Sequence, residues 1–329
     1  MDEQATPTRL FSAETSKPRS EKLGAPEEAW KAGVRRIERS RLLPVKYPRL
    51  ERLCRPQSES FWVLGGRPGD FKTGLLWNLA LNAAENRRRV LFVSLEMTLG
   101  EMAILALAKF SGIEKPRIED ALVADSQVPF TEEEQARWDF ARTKFDGLSF
   151  LMRLHGHEHG RDISHVIGSA CRSRFDAVFV DHLGMIGRDS RGKELEQLAA
   201  AVHRLRGLSR GEEAQDYRPW VVVTSQLNRE RDKGEEDRLP RMSDFRGSAR
   251  IEHDADVAVA LQKRTKPAGD ESPVYQLDGF VLKNRFGPPA TVLLFEANGA
   301  TGLITERHRQ EQPPLHWSND DAPERGTNG

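Results

Sequence analysis

The sequence has little that could cross-link, export or anchor it. Its only two cysteines, Cys54 and Cys171, lie far apart and without metal-like spacing, so a disulfide scaffold is not expected and a reducing cytosol fits. The N-terminus has no apolar signal core, and no run of about 18 apolar residues occurs anywhere. We therefore expect a cytoplasmic protein with no membrane partner.

The sequence also lacks an excess of either charge. The 50 Lys and Arg residues balance 50 Asp and Glu residues, so any surface that binds nucleic acid must be a local patch. The length of 329 residues allows one large α/β domain or two small ones.

Short apolar runs alternate with segments of helical periodicity through the middle of the chain. The runs at 61–66, 89–96, 148–154, 176–183, 220–227 and 256–262 predict strands. Continuous apolar strands that alternate with helices indicate an α/β fold, with a mostly parallel sheet covered by helices on both faces. The runs at 273–284 and 291–298 predict an antiparallel edge. Ligands of such sheets bind at the carboxyl ends of the strands.

Composition divides the chain into four parts. Residues 1–25 and 308–329 are rich in polar and charged residues and proline, so we predict disordered tails there. Residues 26–43 predict a helix, and a turn-rich connector continues to residue 57. We therefore predict a linker helix and connector over 26–57 and one domain over 58–307.

Residues 65–74, GGRPGDFKTG, follow a predicted strand and precede a predicted helix. From Gly66 onward they match the phosphate-loop pattern G-x-x-x-x-G-K-[ST] except at its second glycine. In such a loop Lys72 reaches the β- and γ-phosphates, Thr73 holds Mg²⁺, and the helix N-terminus faces the phosphates. The predicted nucleotide-binding residues of the loop are Gly66, Arg67, Gly69, Asp70, Phe71, Lys72, Thr73 and Gly74.

Phe71 occupies the position of the missing glycine. A non-glycine residue at positive φ costs about 1–2 kcal/mol, which is small beside several phosphate contacts of about 1.5–3 kcal/mol each. Alternatively, the loop flattens and φ stays negative. We predict a working variant loop, and two alternatives remain: an ordinary glycine-rich turn, and a loop that binds nucleotide without hydrolysis.

Three other predicted strands end in residues that suit triphosphate hydrolysis. Asp181 ends the run VFVD and could orient the water shell of Mg²⁺. Glu96 follows the run LFVSL and could take a proton from the attacking water. Ser225 and Gln226 end the run VVVTSQ, where an amide could hydrogen-bond a γ-phosphate. Any single one of these residues could instead be a helix cap.

Six segments together resemble, in order and spacing, the C-terminal RecA-like motor domain of DnaB-type replicative helicases. They are GRPGDFKT, FVSLEM, VFVDHLGMI, VVVTSQLNR, MSDFRGSARIEHDADVAVAL and LKNRFGPPATVLLFEA, and they span about residues 58–305. The resemblance implies a RecA-like P-loop fold and ATP with Mg²⁺ as cofactors. It also implies a hexameric ring that closes around single-stranded DNA, with ATP between neighbouring subunits.

The resemblance implies a role for each matching residue. Lys72 and Thr73 match the phosphate-loop pair, Glu96 the catalytic glutamate, Asp181 the Walker B acid and Gln226 the switch glutamine.

Lys283 and Arg285, in KNRFG, match the basic pair that reaches the neighbour's site, with Arg285 as the arginine finger. A solvated edge strand is the alternative explanation for this pair.

DNA contact is expected from two polar loops that follow predicted strands, 187–194 and 228–238. Both suit backbone phosphate contact without base reading, although the mixed charge of the second indicates partial solvation. The residues predicted to bind DNA are Arg188, Arg191 and Lys193 in the first loop, and Arg229, Arg231 and Lys233 in the second. His155, His157 and His159 alternate near another strand end; exposed histidines are favoured there over a metal site.

The sequence departs from the family before the motor, because the family's N-terminal domain has no counterpart in the residues that precede Phe61. We therefore expect a plasmid, phage or mobile-element motor, or an accessory motor with replication partners, rather than a main replicative helicase. The alternative function is a nucleotide-gated loader, scaffold or regulatory ATPase that binds DNA without unwinding it. A recombination ATPase is disfavoured because residues 242–261 resemble helicases instead.

Overall fold

The computed structural model describes residues 30, 31, 33, 34, 41–123, 127–148, 152–155, 162–185, 194–214, 216–227, 238–245, 248–267 and 269–307. The chain divides into two compact units, Met1–Ser40 and Arg41–Gly329. In the first unit, residues 30, 31, 33 and 34 are helical. The helix predicted over 26–43 does not extend to its last residues, because Leu42 forms an isolated bridge with Gln57. Both predicted tails lie outside the described residues.

The second unit contains one nine-stranded sheet. Its strands are β1 (Phe61–Gly66), β2 (Val90–Ser94), β3 (Met152–His155), β4 (Ala177–Asp181), β5 (Trp220–Gln226), β6 (Val257–Lys263), β7 (Val274–Asn284), β8 (Thr291–Asn298) and β9 (Ile304–Glu306). Their order is β3-β2-β4-β5-β1-β6-β7-β8-β9. In this spatial order, every neighbouring pair between β3 and β6 is parallel, and every pair between β6 and β9 is antiparallel. This confirms the predicted mostly parallel sheet with an antiparallel edge.

The helices of this unit lie between the strands in the chain. They are α1 (Pro48–Cys54), α2 (Lys72–Glu85), α3 (Leu99–Ser111), α4 (Lys115–Leu122), α5 (Glu132–Asp146), α6 (Ile163–Ser173), α7 (Glu194–Arg210) and α8 (Ser248–Asp254). Short 3-10 turns cover Leu183–Met185 and Met242–Asp244. Among the residues described, no helix combines the length and apolar character that a membrane span needs.

Two apolar cores form because successive side chains of a strand point to opposite faces of the sheet. In β1, Trp62 and Leu64 join the core that contains α1, α2 and α3. Phe61 and Val63 join the other core, which contains α6, α7 and α8. Each fully buried side chain of this size stabilises the fold by about 1.5–3 kcal/mol. Helices on both faces thus hold β1 rigidly in the middle of the sheet.

The connector before β1 contains a helix that the sequence analysis missed. Pro48 stands at its first turn, where proline needs no N–H partner. The carboxylate of Glu306, from β9, accepts from the backbone N–H groups of Arg49 and Leu50 at 2.7 and 2.9 Å. A partner more than 250 residues away in the chain thus caps α1, so a local pattern could not predict it.

Candidate functional site

The register of the parallel strands places their polar ends side by side. Gly66 at the end of β1 lies opposite Gln226 of β5, and Ser94 of β2 lies opposite Asp181 of β4. Glu96 follows two residues after Ser94, and the backbone N–H of Leu95 donates to the Asp181 carbonyl at 2.6 Å. The strand-end residues that the sequence singled out therefore meet at one edge of the sheet.

Gly66 and Gly69 of the phosphate loop stand where a side chain would clash or be strained. A Cβ on Gly66 would lie 2.8 Å from the Lys72 side chain, and Gly69 has a φ of +86°. Asp70 links the loop to the end of β6, because its carboxylate accepts from the backbone N–H of Arg67 at 2.8 Å and of Lys263 at 3.1 Å. The Asp70 side chain is thus occupied by backbone donors, and its own N–H donates to the Arg67 carbonyl at 3.2 Å.

Phe71 adopts the left-handed conformation that glycine would favour, with φ 57° and ψ 26°. The alternative of a flattened loop with negative φ is therefore wrong. The carbonyl of Phe71 accepts the first helical hydrogen bond of α2, from Leu75 at 2.8 Å. Its ring centroid lies 5.5 Å from that of Tyr275 at the start of β7. The ring thus forms a wall beside the loop and packs against the antiparallel edge.

Thr73 and Asp181 meet directly. The Thr73 hydroxyl donates to Asp181 Oδ2 at 2.7 Å, and the Thr224 hydroxyl donates to Oδ1 at 2.5 Å. Asp181 is only 1% exposed, and burial raises the pKa of its carboxyl above the usual value although both hydroxyls oppose the shift. A hydroxyl and a carboxylate in contact supply the hard oxygen ligands that Mg²⁺ prefers.

Lys72 is partly buried beside three carboxylates. Its ammonium group donates to the Arg67 carbonyl at 2.8 Å, folded back along the loop. Burial lowers the pKa of Lys72, while the charges of Asp181, Asp70 and Glu96 oppose that shift. One ammonium among three carboxylates leaves an excess of negative charge, which a divalent cation would balance.

Glu96 reaches the open side of this site. Its side chain is 56% exposed and its Oε2 lies 3.2 Å from Nδ1 of the buried His182. One ligand atom from each of Glu96, Asp181 and His182 falls within 4.8 Å of the others. The carboxylate oxygens of this group and the hydroxyl of Thr73, which contacts Asp181, are donors that could hold magnesium. The motif VFVDHLGMI contains His182 directly after Asp181 but indicates no role for it.

A cleft of about 810 Å³ opens over the loop, a volume that suits a ligand of nucleotide size. Lys72, Thr73, Glu96 and Gln226 line its polar side. The remaining wall is largely apolar and includes Phe71, Trp77, Leu105, Pro273 and Tyr275. No local sequence pattern marks this wall, because the antiparallel edge and α3 bring its residues to the loop from distant parts of the chain.

Lys283 and Arg285 lie at the end of the sheet where the parallel strands begin, opposite to the end that carries the cleft. Because β7 runs antiparallel to β6, Asn284 pairs with Val257, the first residue of β6. The Arg285 guanidinium donates to the buried Asp256 carboxylate at 3.0 Å and to the His253 carbonyl at 3.2 Å. The Lys283 ammonium contacts the carbonyls of Glu252 and His253. The structure therefore does not bring this pair to the cleft of its own chain.

The remaining predicted contacts fall largely on residues that the structure does not describe. Arg188, Arg191, Lys193, Arg229, Arg231 and Lys233 all lie outside the described residues, as do His157 and His159. His155 ends β3. The segments from which both predicted DNA loops start are described, and they follow β4 and β5 at the edge that carries the cleft.

Related proteins are replicative helicases. A probable plasmid replicative DNA helicase of Chlamydia muridarum (strain MoPn / Nigg) is 26% identical over 239 residues, which cover 72% of this chain and 49% of that protein. The replicative DNA helicase DnaB of Helicobacter pylori (strain J99) is 26% identical over 213 residues, 62% of this chain and 40% of the relative. The chain therefore spans about half the length of these relatives, or less.

Solved structures share the fold. A solved ATPase domain superposes with a TM-score of 0.68 at 20% identity, covering 87% of this chain and 99% of that domain. A DnaB-like replicative helicase, described with its interactions with primase, superposes with a TM-score of 0.68 at 18% identity, covering 87% of this chain and 67% of the other. The fold is thus the RecA-like ATPase fold of such helicases.

The sequence pattern of the DnaB-like helicase C terminal domain matches residues 43–301. Because that match takes in most of the 329 residues, it confirms the resemblance found in the motifs, and the chain belongs to the DnaB-like helicase C-terminal domain family.

Proposed function

We propose that the protein is a DNA helicase motor that hydrolyses Mg²⁺-ATP and moves along single-stranded DNA. The observation that carries this proposal is the convergence of Lys72, Thr73, Glu96 and Asp181 on one cleft at the carboxyl edge of the sheet. The helicase names of its relatives support the DNA substrate.

The phosphate loop would bind the triphosphate through its backbone N–H groups and the N-terminus of α2. Lys72 would exchange its bond with the Arg67 carbonyl for the β- and γ-phosphate oxygens. This exchange replaces a neutral acceptor with charged ones, which adds the attraction between opposite charges to the hydrogen bonds. The nucleoside would lie along the apolar wall that includes Phe71 and Tyr275.

Thr73 and Asp181 would hold magnesium, which when bound neutralises charge on the phosphates. Glu96, the exposed carboxylate at the mouth of the site, would accept a proton from the attacking water. Gln226 lies opposite Gly66 of the loop and lines the cleft. It would therefore register loss of the γ-phosphate and pass the change to the segment that follows β5.

A neighbouring subunit would complete the site. Arg285 lies at the far edge of the sheet, so the strand geometry favours its action in trans, with Lys283 beside it. A cation inserted from a neighbour stabilises transition-state charge and typically raises the rate by about 10³–10⁵. This arrangement needs a neighbouring subunit, and we propose a ring of six.

Single-stranded DNA would contact the loops after β4 and β5. We propose Arg188, Arg191 and Lys193 as phosphate contacts on the first loop, and Arg229, Arg231 and Lys233 on the second. Both loops start beside the cleft, so nucleotide state and DNA contact share the same strand ends. The motor domain is proposed to span residues 58–307, preceded by a linker at 26–57.

The test is ATP hydrolysis with and without single-stranded DNA. Lys72→Ala should abolish turnover, because the proposed phosphate contact is lost. Lys115→Ala is the matched control, since Lys115 lies on α4 and pairs with the surface residue Glu119 at 3.5 Å. Persisting hydrolysis in the Lys72→Ala protein would contradict the proposed role of Lys72 in binding the triphosphate.

Two further assays address the finer claims. Mixing inactive Arg285→Ala with inactive Lys72→Ala subunits should restore partial activity, since some interfaces then combine an intact loop with an intact arginine. Without such rescue, Arg285 does not act in trans.

Strand displacement on a forked duplex should require ATP, and DNA-stimulated hydrolysis without displacement would favour the loader or scaffold function.

A further inference from the structure

A second cavity, of about 420 Å³, lies at the other end of α2 from the phosphate loop. The connector before β1, α2, α3, α5 and β9 all contribute to its wall. We call this cavity the lysine pocket. Its charged and polar side chains include Lys46, Asn82, Glu85, Lys109 and Lys144.

Three ammonium groups enter the lysine pocket from three different segments. Lys46 pairs with Oε2 of Glu85 at 2.9 Å, and Lys144 pairs with Oε1 of the same carboxylate at 2.5 Å. One carboxylate thus shares its two oxygens between two lysines. Glu306 also lines the pocket, but its oxygens accept the backbone N–H groups that cap α1. When all are ionised, the three lysines of the pocket exceed its two carboxylates, Glu85 and Glu306, by one positive charge.

Lys109 is the third lysine, and among the described residues it bonds to an amide rather than to a carboxylate. Its ammonium group donates to Asn82 Oδ1 at 2.8 Å, and the amide nitrogen of Asn82 donates to the Val45 carbonyl at 2.6 Å. Part of the Lys109 side chain is exposed, yet its ammonium end lies deep. Burial lowers the pKa of Lys109 to about 7; Glu85 opposes the shift, and the charges of Lys46 and Lys144 add to it.

An enclosed ammonium without a carboxylate is costly, because burial removes hydration that a neutral amide restores only in part. Lys46 and Lys144 have a structural role, because they pair with Glu85 at the C-terminal end of α2. Within the part of the chain that the structure describes, Lys109 has no such ion pair to explain its burial. Replacing Lys109 with an apolar side chain would remove this cost without breaking an ion pair. The pocket thus has the charge and the space for an external counter-ion.

We propose that the lysine pocket binds a small oxyanion of the phosphate class, held by Lys46, Lys109 and Lys144. A phosphate group offers three terminal oxygens and close to two negative charges at neutral pH, which matches three ammonium donors better than a carboxylate with two oxygens and one charge. The cavity volume falls in the range of small-molecule sites. The apolar ring of Phe110, 4.3 Å from the Lys144 ammonium, would contact the remainder of a phosphorylated molecule.

This proposal is independent of the proposed ATPase activity and is tested without it. All proteins carry Lys72→Ala, so that the phosphate loop does not supply the measured binding. Calorimetric titration with inorganic phosphate, and separately with pyrophosphate, at pH 6.5 should reveal one site per chain. Adding Lys109→Met should weaken that binding by about 10-fold to 100-fold, as expected for loss of one charged hydrogen bond. The two titrations distinguish free phosphate from a larger phosphate compound.

Two controls make the result decisive. Lys115→Met removes a surface lysine outside the pocket and should leave the affinity unchanged. Lys144→Met, from a different helix, should weaken binding as Lys109→Met does, and thermal melting verifies that each variant is folded. Absence of binding in the Lys72→Ala protein, or equal affinity after Lys109→Met and Lys144→Met, would overturn the proposal. Equal affinity for glutamate would overturn the phosphate assignment.

Discussion

The left-handed backbone of Phe71 predicts that glycine is more stable than alanine at this position, the reverse of the usual order. At most positions alanine is more stable than glycine by about 0.4–1 kcal/mol, because glycine has more conformational entropy in the unfolded chain. At residue 71 the φ of 57° imposes on any residue with a Cβ a strain of about 1–2 kcal/mol, which glycine does not bear. The strain exceeds the entropy term, so Phe71→Gly should be more stable than Phe71→Ala by about 0.5–1 kcal/mol.

The comparison of these two variants isolates the backbone, because both remove the ring and its contact with Tyr275. The ring pair, at 5.5 Å, contributes about 0.5–1.5 kcal/mol beyond its buried area. Both variants should therefore be less stable than the parent, with Phe71→Gly the closer of the two, since strain relief offsets only part of the lost ring contact.

The assay is urea unfolding of the three proteins followed by tryptophan fluorescence, with equal slopes as the condition for comparing free energies of unfolding. A control pair at Ala103 of α3, a helical position, should show the usual order, with alanine above glycine. If Phe71→Ala equals or exceeds Phe71→Gly in stability, the loop does not hold residue 71 at positive φ and the account of this position is wrong.

Three other changes have defined outcomes. Asp181→Asn keeps both hydroxyl contacts in reach but removes the charge, so ATP turnover should fall by about 10²-fold or more; turnover within about threefold of the parent would contradict the metal role. Asn78→Ala removes hydrogen bonds to three backbone groups, of which the N–H of Ile304 is buried, and should cost about 1–3 kcal/mol in urea unfolding, against less than about 0.5 kcal/mol if the contacts are dispensable. Phosphate binding at Lys109, whose anion-free pKa is lowered to about 7, should weaken by up to about tenfold per pH unit above that pH as the ammonium loses its proton; calorimetric affinity that stays constant from about pH 7 to 9 would refute this.

The phosphate loop and the strand-end acids could be predicted because their signals are local. Each apolar run stops at a polar residue, and parallel strands bring those ends to one edge, as the pairing of Ser94 with Asp181 shows. The alternation of strands and helices likewise predicted that helices cover both faces of the sheet.

The parts that the sequence did not predict depend on contacts between distant segments. Tyr275 reaches the cleft because an antiparallel strand returns along β6, and no pattern around it indicates a ligand. Helix α1 depends on Glu306. The conformation of Phe71 stayed open between two alternatives because sterics alone did not favour either, and packing against Tyr275 accompanies the strained one.

Asp256 links Arg285 to β1, the strand that leads to the phosphate loop. Its carboxylate accepts the Phe61 N–H at the start of β1 at 2.9 Å and also holds Arg285. From Phe61 the strand runs about five residue steps, about 17 Å, to Gly66, where the phosphate loop begins. In the proposed ring, force applied to Arg285 by an adjoining subunit would be transmitted along β1 to the phosphate loop, so that the proposed nucleotide site would respond to load on its neighbour.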